Sequence, residues 1–295
     1  MGRNRFLLEI CLRLAWCACL VAPSSAQHFK QVSGHLTQVA AGRNEVFGVN
    51  ASHQVFRFNA VSKAFVQVSG TLTQVAVGGG TLSQKDEVWG LDRSGQIFHF
   101  NYATTTFNRV AGSLAQIVVG EGDMEKCHPY EIWGLDAAEL IYRYNYCTKV
   151  FDLITGFLTH IATGGGSVWG LNSSAQIYTF PNAATGFVEI PGYLQQIAVG
   201  VNDVVGLDGY GDAWLFDPYS QVFYSFADAA CCTQIAAGGD GIWAIAEGYP
   251  THFYFSGPEE GYSLSGSTAV QIAVGFGAGV WAIDPSNRVY VFVRP

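Results

Sequence analysis

Basic residues are scarce in this chain. Its 295 residues include 15 Lys and Arg against 23 Asp and Glu, a formal net charge of −8. A phosphate backbone is held by cations that displace its counterions, so this balance argues against nucleic acid and against anionic membrane surfaces as partners. Long apolar runs are also lacking. After residue 30 no stretch approaches the ~20 apolar residues that cross a bilayer as a helix, so no membrane insertion is expected. Extended helical periodicity is missing too. There is no HExxH and no GxSxG. The Gly runs at 78–80 and 164–166 follow strand-like segments and open no helix, as a phosphate-binding loop would. Catalysis is therefore not expected.

The first 26 residues differ from the rest. Arg3 and Arg5 precede an apolar run from Leu14 to Ala22, and Ser24 and Ala26 place small residues at −3 and −1 of a cut after Ala26. This predicts a signal peptide over 1–26 and a secreted or periplasmic product, with residues 27–295 as a single domain. Cleavage removes Arg3, Arg5, Arg13 and Glu9 and leaves a charge of about −10. It also leaves Cys127, Cys147, Cys231 and Cys232, an even number in an oxidising compartment.

What the chain has in abundance is repetition. Leu-x-Gln-(Ile/Val)-Ala-x-Gly recurs from 36, 72, 114, 158, 194, 232 and 269, with Cys232 and Ala269 at the Leu place in the last two and His160 at the Gln place in the fourth. Each copy is followed by a second signature such as VWGLD (88–92), and then by a third such as QIFHFN (96–101). All are short, rich in β-branched and aromatic residues, and bounded by Gly, Asn, Asp or Ser, which are strand and hairpin signals. In Asp92-Arg93-Ser94-Gly95, Asp can bond its own turn and Gly accepts the left-handed conformation. A weaker fourth strand, as in FVQV (65–68), ends the unit.

Four short antiparallel strands at this period make a propeller blade. The expected fold is therefore all-β, a β-propeller of seven four-stranded blades. The last unit has three strand signals and then stops, whereas FKQV (29–32) is a fourth strand with no unit before it. Pairing the two closes the last blade with the N-terminal strand.

The three signatures together, repeated over 28–295, resemble the tectonin family, which includes fish-egg and horseshoe-crab lectins. The resemblance implies a propeller that binds carbohydrate, on cell surfaces or glycoproteins, although some related repeats serve as scaffolds. Two departures stand out: seven units where those lectins have six, and Trp-Ala in place of Trp-Gly at 243–244 and 281–282.

Two series invite a binding role. The Trp series (Trp89, Trp133, Trp169, Trp243, Trp281) could stack on sugars, but a large ring beside Gly within a sandwiched strand serves packing first. Trp214 breaks the pattern of its strand and is a candidate for exposure. The polar series Asn50, Asp92, Asp136, Asn172, Asp208 and Asp284 ends successive second strands and would lie on one face. These residues could accept from sugar hydroxyls, or could simply bond their own turns. Their neighbours Arg93, His53, Ser173 and Tyr210 are specificity candidates.

No cofactor is expected. Glu121, Asp123 and Glu125 offer oxygens that suit Ca²⁺, but without regular ligand spacing. Cys127 and Cys147 flank the second hairpin of unit three, which places them opposite each other and predicts a disulfide. Cys231 and Cys232 leave open either a vicinal disulfide or buried thiols.

Overall fold

The structure is a computed structural model. It describes residues 28–294 apart from 82–83, 126, 228–231, 255–256, 263 and 265. The expected signal segment and Cys231 lie outside the described residues. Among those described there are strands and no helix.

Each sequence unit folds as an antiparallel four-stranded sheet in simple up-and-down order. In unit one the strands are Gln38–Ala41, Val46–Val49, Gln54–Asn59 and Ala64–Thr71. In unit three they are Gln116–Glu125, His128–Leu135, Leu140–Asn145 and Val150–Phe157. The strands Gln271–Val274, Val280–Ile283 and Arg288–Val293 are joined by His28–His35, which runs antiparallel to the last of them with Phe29 opposite Phe292 and Val32 opposite Val289. The fourth strands are longer than their weak signals imply. Ala64–Thr71, Thr106–Ser113, Val150–Phe157 and Gly186–Tyr193 each span eight residues. Each continues past a register shift near its end, so its mixed exposure hides a continuous element.

The sheets form a β-propeller whose core is divided among the interfaces between consecutive sheets. The pattern of each interface is legible in the signatures. The second-strand aromatic of one unit wedges between the third- and fourth-strand aromatics of the next. Trp89 meets Tyr144 and Phe151, Trp133 meets Phe180 and Phe187, and Trp169 meets Phe216 and Phe223. Trp281 of the last unit meets Phe58 and Phe65 of the first in the same way. Edge-to-face contacts at these centroid distances, 4.7–6.0 Å, are favourable beyond area burial.

The Gly of Trp-Gly is explained by the motif Leu. A Cβ on Gly134 would stand 2.3 Å from Leu114 Cδ1, and one on Gly170 would stand 2.4 Å from Leu158 Cδ1. Only a residue without Cβ admits that approach. In units six and seven, where Cys232 and Ala269 replace Leu, the Gly becomes Ala244 and Ala282. The loss of the motif Leu and the exchange of Gly for Ala are thus one compensated change.

The motif Gln joins neighbouring sheets at their inner edge. The Gln38 carboxamide donates to the Val75 carbonyl at 3.0 Å and accepts from the Val75 N–H at 2.9 Å. Gln74 treats Ile117 likewise, Gln116 treats Ile161, and Gln234 treats Ile272. Gln271 does the same to Val39, linking the last unit to the first.

Cys127 and Cys147 form the predicted disulfide, with Cα atoms 5.1 Å apart. It fastens the loop after the first strand of unit three to its third turn. Closing a loop of 20 residues is worth about 3 kcal/mol in the chain-entropy model. Replacing both cysteines by Ser should lower the unfolding free energy by about that amount. A loss under about 1 kcal/mol in urea titration would show that the loop is constrained without it.

Candidate functional site

The polar series lies on one face, at the turns between second and third strands. In every member the first side-chain oxygen is consumed by its own turn. Asp92 Oδ1 accepts from the backbone N–H of Ser94 and of Gln96 at 2.8 and 2.9 Å, and Gly95 closes the turn at φ +75°. Asn50, Asp136, Asn172, Asp208 and Asp284 repeat the pair of bonds. This is the local chemistry that favours Asx residues in turns.

The remaining polar atom separates the members. Asp136 Oδ2 accepts from the Tyr142 hydroxyl at 3.2 Å, and Asp208 Oδ2 accepts from Trp214 Nε1 at 3.0 Å. Asp284 is fully buried. Its Oδ2 accepts from Arg288 Nε and from the Tyr290 hydroxyl. Its carboxyl is pushed up by burial, but the Arg288 and turn hydrogen bonds outweigh this and hold it below the usual range. Asn50 and Asn172 use their amide nitrogens on Gln54 and Gln176. At Asp92 the third-strand residue is Phe98, which has no donor, and Oδ2 makes no hydrogen bond among the described residues.

Asp92 lines a cleft. Between units two and three lies a cavity of about 320 Å³ bordered by Thr73, Gln74, Asp92, Arg93, Ser113 and Ala137. The fold therefore brings together Asp92 and Arg93 with the connectors entering units two and three. It does not gather the other candidates. Ser173 and Tyr210 are exposed on the turns of units four and five. Trp214 is half-buried beneath its turn and packs against the buried cluster that includes Trp169 and Leu194. Trp89, Trp133, Trp169, Trp243 and Trp281 are all core. Thr73, Ser113 and Ala137 carry no motif and were invisible in the sequence. Their signal is positional, since each adjoins a signature residue.

The opposite face carries ion pairs that the signatures do not announce. In units one to three an acid two residues before the aromatic meets a base on the third strand, twelve residues on. Glu45 takes Arg57, Glu87 takes His99 at 2.7 Å, and Glu131 takes Arg143 at 2.6 Å. Burial pushes the Glu87 carboxyl up, but hydrogen bonds from His99, Trp89 Nε1 and the Tyr146 hydroxyl leave it lowered overall. Tyr146 itself is driven far up by burial beside Glu87. Asp86, almost fully buried, accepts four backbone N–H bonds from Arg43, Asn44, Glu45 and Gly80, riveting the loops of units one and two. Glu121 is engaged by Arg43 at 2.5 Å. Among the described residues no three His, Cys, Asp or Glu are placed to hold a metal ion. The side chains of Asp123 and Glu125 lie outside the described residues.

The family model described as the Tectonin domain matches residues 21–146 and, overlapping them, 82–222. No curated protein matches the chain. Among solved structures, human WBSCR16 is 12% identical with a TM-score of 0.62, over 90% of this chain and 88% of that one. U3-55K is 8% identical with a TM-score of 0.66, over 92% and 99%. The RRP9 WD40 repeats are 8% identical with a TM-score of 0.67, over 93% and 99%. At such identities the likeness is one of fold alone.

Proposed function

The chain belongs to the tectonin family, and on that footing we propose that it is a secreted, non-catalytic carbohydrate-binding protein. The observation that carries the reading is the cleft between units two and three, bordered by Arg93 and by Asp92, whose turn consumes only one of its two oxygens. A carboxylate and a guanidinium at adjacent positions offer acceptor and donors to the paired hydroxyls of a sugar. Shallow clefts at other units, each weak, would add avidity on arrayed glycans. The ring we infer has seven blades, the last completed by residues 28–35. In its favour are the pairing of that strand with Arg288–Val293 and the last-to-first contacts of Trp281 and Gln271. Export is supported by the disulfide, a bond that persists in oxidising compartments.

Asp92→Asn tests the site without disturbing the turn. Asn occupies the same place in units one and four, where its amide nitrogen is taken up by the Gln of the third strand, and Gln96 is present here for that purpose. On a broad glycan array, residues 27–295 are expected to bind, and the Asn variant to bind about 10-fold or more weakly, as for loss of a charged hydrogen bond. Stability should stay within about 0.5 kcal/mol. A blank array with the unaltered protein would sink the reading.

A second reading, an extracellular interaction scaffold, is favoured by one observation. Leu153, Phe157, Val188, Tyr193 and Tyr224 are exposed along the fourth strands of units three to five. Glycan-independent capture of one protein partner would select it.

A further inference from the structure

The inner edge of the sheets is zipped by glutamine carboxamides, and the zip is open at one place. At the six interfaces served by Gln38, Gln74, Gln116, Gln196, Gln234 and Gln271, a carboxamide gives one N–H to a backbone carbonyl and takes one backbone N–H in return. Between units four and five the residue is His160. Ile197 stands opposite Gly206 in the register in which Val39 stands opposite Gly48. Its N–H and C=O therefore point away from the second strand, toward His160. Neither makes a hydrogen bond among the described residues. An imidazole carries a single N–H and a single lone pair that diverge across the ring, so it does not reproduce the parallel donor and acceptor of an amide.

The gap opens onto the central channel. The channel, open to solvent, has a volume of about 300 Å³, and its walls are the first strands of the repeat units, with small residues such as Ala40, Ala162 and Ala198 among its lining. Among the described residues His160 is the one titratable residue on its lining. At one mouth stands Phe276 of the last unit, whose ring tip would lie 2.8 Å from a Cβ built on Gly164 across the channel. The lining is as polar as it is apolar, because the free backbone edges of the first strands share it with small side chains, and the two Gln on its wall, Gln74 and Gln116, are spent on backbone. No side chain on that wall other than His160 could balance a charge, and burial lowers the His160 pKa, favouring the neutral ring.

We propose that the channel binds a small neutral molecule bearing a primary or cis amide, seated at the His160 gap with its amide on the N–H and C=O of Ile197. The amide completes the zip as a seventh carboxamide would. The body of the molecule lies along the alanine-lined wall, and the His160 ring flanks the amide. A carboxylate would enter without a counter-charge and is rejected. An apolar molecule of the same shape would fill the space but leave the backbone pair unmet.

The test uses benzamide as probe and the backbone amide of Ile197 as reporter, observed by NMR in isotope-labelled residues 27–295. Benzamide is expected to bind saturably at millimolar concentration and to move the Ile197 signal, and benzoate is not. His160→Gln supplies the missing carboxamide, so it should weaken benzamide at least 10-fold. His160→Ala, which leaves the gap open, should retain binding. Failure of benzamide to saturate, equal binding to the Gln variant, or loss of binding in the Ala variant would each overturn the proposal. Glycan-array binding should be the same in all three proteins. Its loss together with that of benzamide would place the amide in the outer cleft instead, and would equally overturn it.

Discussion

Replacing Arg143 by Met is expected to lower the unfolding free energy by about 3–5 kcal/mol, the range found when one partner of a buried ion pair is removed. The side chains of Arg143 and Glu131 are 7% and 5% exposed. The guanidinium is bidentate, Nη2 to Oε1 at 2.6 Å and Nε to Oε2 at 3.1 Å. It also lies over the Trp133 ring, whose Nε1 donates to the same carboxylate. Without Arg143 the carboxylate stays buried and loses its bidentate cation, in surroundings too poor in water to replace it. The comparison within the chain is Arg57→Met. That guanidinium is 34% exposed opposite Glu45, so solvent replaces much of what is lost, and about 1 kcal/mol is expected. Urea unfolding midpoints at unchanged slope measure both. In Glu131→Gln/Arg143→Met, Gln still accepts from Trp133 and no charge is stranded, so the double variant should recover at least half the loss. Equal costs for Arg143→Met and Arg57→Met would defeat the explanation by burial.

The second large effect concerns the compensated pair in the interior. Gly134→Ala should cost about 3 kcal/mol, at the upper end for overpacking, because its Cβ would stand 2.3 Å from Leu114 Cδ1. Leu114→Ala alone should cost about 2–5 kcal/mol through lost burial and the space left behind. Yet once Leu114 is Ala, adding Ala at 134 should cost less than about 0.5 kcal/mol. That combination is the one found in unit seven as Ala269 and Ala282, and the coupling energy of adjoining sites reaches about 3 kcal/mol. The neighbouring obstacle, the Gln116 carbonyl at 2.9 Å from the same Cβ, is backbone and would remain. If Gly134→Ala costs the same in both backgrounds, that carbonyl and not the leucine excludes a side chain.

Much of the architecture could be read in the chain because each strand carries its own signature, and seven copies average out local noise. The disulfide was legible for the same reason, since hairpin register fixes which residues face each other. What could not be read were relations between units. The motif Gln looks like consensus until Val75 and Ile117 are seen to receive it. His160 then changes from a minor variant to a missing fastener. The turn acids likewise form one set in the sequence. They divide only when the residue six positions later is known to reach back: Tyr142, Trp214 and Tyr290 occupy an oxygen that Phe98 leaves alone. The Glu–Arg and Glu–His pairs, twelve residues apart, bridge adjacent strands whose spacing depends on loop length, and no periodicity marks them.

The pairing of His28–His35 with Arg288–Val293 also sets a clock. At a synthesis rate of about 5–20 residues per second, the first of these strands waits roughly 13–50 s for its partner to be made. During that interval its hydrogen-bonding edge is bare, and a bare edge recruits other strands. The interval lengthens with slow translation and shortens with fast, so the yield of soluble protein should depend on elongation speed. A holdase that covers residues 28–35 until residue 293 has emerged would remove that dependence.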